Sequence, residues 1–118
     1  MASILRGDIY WADLDPVVGH EQSGRRPVLV ISRELFNDRS GTVIAVALTS
    51  AEPKVGFPLT LSLKKTKLPK PTWVKISQIR TLSTLRLRGR IASCHPKELS
   101  KVIEGLTELV GKGEGSGE

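Results

Sequence analysis

Two runs of apolar, mostly β-branched residues constrain this chain more than any other feature: Pro27 to Ser32 (PVLVIS) and Val43 to Ser50 (VIAVALTS). Neither alternates polar with apolar side chains, so each reads as a strand buried on both faces. Ile9 to Leu14 alternates around Tyr10 and Trp11 and reads as a first strand. Asp15 and Pro16 stop it, because proline cannot donate to a ladder. Val17 to Arg26 follows as a polar loop with Gly19 and Gly24, and Arg33 to Gly41 is polar with room for one short helical turn. Phe57 to Leu63 alternates with period two, as a half-exposed strand does. Lys64 to Thr72 is a basic loop punctuated by Pro69 and Pro71. From Trp73 to Ile79, Trp73, Lys75, Ser77 and Ile79 share one strand face, with Val74, Ile76 and Gln78 on the other. Arg88 to Ala92 completes the strands.

Near the C-terminus the period changes. Leu99, Val102, Ile103, Leu106, Leu109 and Val110 form one apolar helical stripe. Pro96 fits the first helical position, Glu98 the electropositive first turn and Gly111 the C′ position, while Gly105 costs about 1 kcal/mol against alanine. GKGEGSGE then reads as a flexible tail. The 118 residues have the length of one domain, expected over residues 1–111 with the tail at 112–118. The fold class expected is mainly β: a small, bent antiparallel sheet or barrel with a C-terminal helix.

Composition removes several function classes. With 39% hydrophobic and 25% charged residues the chain is not disordered by composition. Its single cysteine excludes a disulfide framework and a Cys-rich zinc site, and two widely separated histidines argue against a His-based one, so no metal or cofactor is expected. Val28 to Ile31 and Val43 to Leu48 are far too short to span a membrane, and the N-terminus lacks the apolar segment of a secretory signal. A cytoplasmic domain without membrane contact is the expectation.

The net charge of +6 conceals an asymmetry. Between Pro53 and Lys97 there are eleven Lys or Arg and no Asp or Glu; the rest of the chain carries seven basic residues and all twelve acidic ones. The middle section is therefore expected to face a polyanion, the alternative being a solvated basic face with no partner. Its prolines and strand-like alternation fit nucleic acid better than a membrane, which calls for an amphipathic basic helix.

There is no Gly-rich phosphate loop, metal-ligand cluster or nucleophile elbow. Cys94, with only His95 beside it, reads as a buried, inert thiol. The informative segment is His20-Glu21-Gln22-Ser23-Gly24-Arg25-Arg26-Pro27, where two arginines stand at the mouth of a buried strand. Guanidinium groups bind phosphate through paired donors and stay charged at any working pH. The alternative is that Arg25 and Arg26 are surface residues paired with Asp13, Asp15 or Glu21. Thr49 and Ser50 end the other buried strand; if the two strands are neighbours, Thr49 brings a hydroxyl toward the arginines, and otherwise it caps a turn.

RGDIYWADLDPVVGHEQSGRRPVLVIS, VALTS and ISQIRTL, in order from Arg6 to about Val110, resemble the MazF/PemK family of toxin endoribonucleases from bacterial toxin–antitoxin pairs. The resemblance implies an SH3-like bent sheet, a homodimer, an antitoxin partner and metal-independent cleavage of single-stranded RNA at short sequences. It further implies Arg26 and Thr49 as catalytic residues and Glu21 and Gln78 as substrate contacts; Gln22, Arg25, Ser50 and Arg80 are expected as further contacts beside them. Arg25 is an addition relative to many relatives. Ser77 replaces a glutamate found in some of them before the Gln-Ile-Arg run, which bears on base preference rather than on the reaction.

Two other readings compete, the first through a shared fold class and the second through the basic section. A CcdB-like toxin poisons a topoisomerase without chemistry, through a C-terminal end resembling Trp-Gly-Ile that this chain lacks. A non-enzymatic nucleic-acid binder would use the basic section alone.

Overall fold

The two apolar runs lie side by side. In the computed structural model, which describes residues 3–14 and 24–113, β2 (Arg25–Val30) pairs antiparallel with β3 (Thr42–Thr49) in the register Val28↔Ala47, Leu29↔Val46 and Val30↔Ala45. β1 (Asp8–Asp13), β4 (Thr60–Leu63), β5 (Thr72–Ser83) and β6 (Leu87–Ser93) complete one antiparallel six-stranded sheet. Its order is β4-β5-β3-β2-β1-β6, so the two apolar runs occupy its middle.

Their lack of alternation has the expected cause. Leu29, Ile31, Val46 and Leu48 enter one core with Ile9, Val74, Ile76 and Val102; Val28, Val30, Val43 and Ala45 enter a second with Ala12, Leu14 and Leu82. Successive residues feed opposite faces, and both faces are covered. The first core lies beneath the C-terminal helix α2 (Pro96–Val110), whose Leu99, Ile103 and Leu106 pack against it. Leu109 and Val110, the last residues of the expected stripe, are exposed instead. Among the described residues no helix is long and apolar enough to cross a membrane.

The polar segment after β2 forms a two-turn helix, α1 (Glu34–Ser40), rather than a single turn. Its dock is polar: buried Asn37 donates through Nδ2 to the Ile4 carbonyl at 2.8 Å and to the Ser32 carbonyl at 3.2 Å. An apolar periodicity test has no access to such an anchor. Gly41 ends the helix in the left-handed region (φ 70°).

Gly105 in α2 and Gly111, which caps it, act through space rather than through conformational freedom. A Cβ on Gly105 would lie 2.9 Å from Ile76 Cδ1 and 3.1 Å from the Pro58 carbonyl oxygen, so glycine permits the helix to approach the sheet. The helix-propensity cost is thereby offset by packing. Gly111 is not in the left-handed conformation expected at C′; its φ is −72°, and a Cβ there would meet the Thr107 carbonyl oxygen at 2.4 Å.

β5 departs most from its sequence reading. Val46 pairs with Ile79, yet the next residue, Ala47, pairs with Lys75, so Ile76, Ser77 and Gln78 bulge opposite a single step of β3. Val74 and Ile76 are buried as the alternation requires, whereas Gln78 is exposed. β4 covers only the first part of β5, residues Thr72 to Lys75.

Candidate active site

β2 begins and β3 ends on the same side of the sheet. There a cleft of about 210 Å³ opens between Arg26 and Pro27 on one wall and Leu48, Thr49 and Ser50 on the next. Trp11 of β1, Ile91 of β6 and the loop residues Leu68, Pro69 and Lys70 close it. Carrying the β2–β3 register two residues past Val28↔Ala47 sets Arg26 opposite Thr49, and cross-strand partners share a face.

The two adjacent arginines have different surroundings. Both belong to β2 rather than to the preceding loop. Arg25 pairs with Asp13 across β1, and its Nε donates to Asp13 Oδ1 at 3.4 Å. Arg26 pairs in register with Ala12, which offers no charge. Arg26 is exposed, and among the described residues no hydrogen bond or ion pair holds its guanidinium. The surface-pairing alternative thus describes Arg25 but not Arg26.

Thr49 combines both roles considered for it. Its Oγ1 accepts the Ala51 N–H at 3.1 Å, closing the turn after β3. That bond uses a lone pair and leaves the hydroxyl proton for a group in the cleft. Ser50 is exposed beside it.

Of the other expected contacts, Gln78 and Arg80 are exposed on β5 and do not line the cleft. Glu21, Gln22 and His20 lie outside the described residues. Trp11 and Lys70 were not singled out as site residues, although both border the cleft. Trp11 stands out as a large aromatic left 42% exposed on a strand that buries Asp8, Ile9 and Ala12.

Lys70 reaches the cleft on a loop that is firmly held. Glu98, 8% exposed in the first turn of α2, accepts the backbone N–H groups of Lys64, Lys65 and Thr66 at 2.7–2.8 Å. It also accepts the Thr66 hydroxyl at 2.7 Å. Burial pushes the Glu98 carboxyl up, but these four donors together outweigh it and hold its pKa below the ordinary value. Thr66 Oγ1 accepts the His95 N–H at 2.9 Å, joining the loop to the start of α2. Cys94, buried beside it, has its thiol pKa raised by burial and by the Glu98 charge, against an opposing hydrogen bond from Thr66, so the thiolate is disfavoured.

On the far side of β1 the basic residues are internally paired. Arg88 bonds Asp13 and, with a smaller contribution from Arg25, holds its carboxyl below the usual range against partial desolvation. Arg90 Nε donates to Asp8 Oδ1 at 3.1 Å, and Arg86 donates to the Asp13 carbonyl at 3.1 Å.

Comparison with known proteins places this geometry among relatives. The family model of PemK-like, MazF-like toxins of type II toxin–antitoxin systems matches residues 5–110. Endoribonuclease EndoA of Bacillus subtilis is 38% identical over 105 residues, covering 87% of this chain and 90% of the relative. A crystal structure of MazF from Deinococcus radiodurans superposes with a TM-score of 0.80 at 29% identity, covering 94% of this chain and 99% of that one. A mycobacterial endoribonuclease solved in complex with its cognate antitoxin superposes with a TM-score of 0.74 at 25% identity, covering 94% and 96% of the two chains.

Proposed function

The chain belongs to the family of PemK-like, MazF-like toxins of type II toxin–antitoxin systems, and from that membership we propose that it cuts single-stranded RNA in the cleft between Arg26 and Thr49. The observation that carries this reading is the meeting, at one cleft, of an arginine without a partner among the described residues and a threonine with a free hydroxyl proton.

RNA brings its own nucleophile. The 2′-hydroxyl attacks the adjacent phosphorus, the bond from phosphorus to the 5′-oxygen breaks, and the products are a 2′,3′-cyclic phosphate and a 5′-hydroxyl. The 2′-proton passes to an acceptor, and the leaving 5′-oxygen takes a proton. Negative charge grows on the non-bridging oxygens in between, where fixed donors lower the barrier most. Arg26 supplies paired cationic donors to those oxygens, and Thr49 donates its hydroxyl proton to one of them. An always-protonated guanidinium is a poor proton acceptor, so Glu21 or His20 takes that role. Ser50, Arg25, Gln22, Gln78 and Arg80 are proposed as contacts along the bound strand. No metal ion or cofactor takes part in this scheme.

The enzyme acts on messenger RNA in the cytoplasm as a homodimer, and a cognate antitoxin neutralises it. The toxin domain spans residues 1–111.

Incubation of the purified protein with a mixed-sequence RNA in the presence of a chelator tests the reading. Defined fragments ending in cyclic phosphates support it, and Arg26→Ala must remove them while leaving a folded protein. Binding without fragments indicates a non-enzymatic RNA binder; neither binding nor fragments overturns RNA as the target.

A further inference from the structure

The loop 64–71 raises a problem of its own. It carries Lys64, Lys65, Lys67 and Lys70, and among the described residues no salt bridge joins any of them to a carboxylate. Four like charges in so short a segment repel one another and favour a splayed loop. Yet its backbone is anchored. Three successive N–H groups converge on one carboxylate, in the concave arrangement that elsewhere captures a phosphate. Here the anion is internal, supplied by α2. Beyond that anchor, Leu68 packs against the main core, and Pro69 and Lys70 border the cleft.

We propose that Glu98 is a positioning residue for RNA: by gripping the backbone of residues 64–66 it sets the loop against α2, so that Lys70 meets a phosphate of the bound strand across the cleft from Arg26. The inference rests on the reading of the cleft as an RNA site. Arg26 acts where bonds change, and Lys70 neutralises a neighbouring phosphate that does not react. Loss of Lys70 therefore weakens binding and leaves the chemical step alone. Loss of the Glu98 grip has the same signature, because it acts through Lys70. A glutamine at position 98 presents an amide N–H₂ to backbone groups that are themselves donors, so part of the grip is lost at nearly unchanged volume.

The test is a double-mutant cycle of Lys70→Ala and Glu98→Gln. It measures kcat and KM on a short RNA, and the salt dependence of binding to a non-cleavable analogue. Lys70 is exposed, so its variant probes the contact without touching the core. Lys70→Ala is expected to raise KM about tenfold with kcat unchanged, the size of one charge-assisted contact, and to lower the slope of log K against log salt by about 0.7, one phosphate's worth for a single strand. Glu98→Gln should change both in the same direction by less, because part of the grip remains. The double variant should behave like Lys70→Ala alone. Additive losses in the double variant, a fall confined to kcat, or an unchanged salt slope in Lys70→Ala overturns the proposal while the RNA reading stands. Faster amide exchange at residues 64–66 in Glu98→Gln is required as well, and unaltered exchange there removes Glu98 from the role. If the wild-type protein neither binds nor cuts RNA, the reading of the cleft falls first and the Lys70 contact falls with it.

Discussion

The two sides of β1 treat positive charge in opposite ways. On the β6 side Arg88 and Arg90 are tied to Asp13 and Asp8, and Arg25 leans on the same Asp13. On the cleft side Arg26 and Lys70 have no carboxylate partner among the described residues. The contrast is sharpest between two consecutive residues, because Arg25 pairs in register with Asp13 whereas Arg26 pairs with Ala12, which carries no charge. A formal count of cations is thus a poor measure of the charge a ligand meets. What matters is which cations the fold has already neutralised.

The largest expected effect tests that contrast directly. Arg26→Ala should lower kcat by about 10²–10³-fold, as loss of a donor to developing charge does, whereas Arg25→Ala should leave it within about twofold. Equal losses in the two variants, measured in single-turnover cleavage, would break the distinction. Next in size is release of the neutralised side. Asp13→Asn removes the partner shared by Arg25 and Arg88, and each arginine that turns to RNA should steepen the salt dependence of binding by about 0.7. An unchanged slope in anisotropy titrations would put that edge outside the path of the RNA.

The smallest effect concerns stability and pH. Glu98 has a folded-state pKa below its unfolded value of about 4.3. Its contribution is therefore complete above that value and is lost as pH falls through the depressed folded-state pKa. Melting temperatures taken from neutral pH down into the acid range should show wild type losing its advantage over Glu98→Gln. A constant gap between the two curves would mean that the carboxylate charge does not hold the loop.

Much of the architecture was legible because apolar patterning writes it plainly. PVLVIS and VIAVALTS became β2 and β3, and the helical stripe became α2 through Leu106. The bulge in β5 was not legible, since the alternation runs through Ser77 and Gln78 unbroken and only pairing with β3 reveals the extra residues. Nor was the docking of α1, which depends on the amide of Asn37 rather than on an apolar stripe. At the site, Arg26, Thr49 and Ser50 fall together because their strands are neighbours, and strand order is not written in the apolar runs themselves. Trp11 and Lys70 join them from segments remote in sequence, and no local pattern announces that meeting. Glu98 shows the limit most clearly: its place in the first helical turn was readable, but its hydrogen-bond partners lie more than thirty residues away.

That distance has a consequence for the order in which the molecule is completed. Arg26 and Thr49 precede the lysine loop in the chain, and the carboxylate that grips it follows more than thirty residues later. The loop's anchor therefore depends on α2 having formed and docked, so the wall that carries Lys70 cannot be set before that helix is in place.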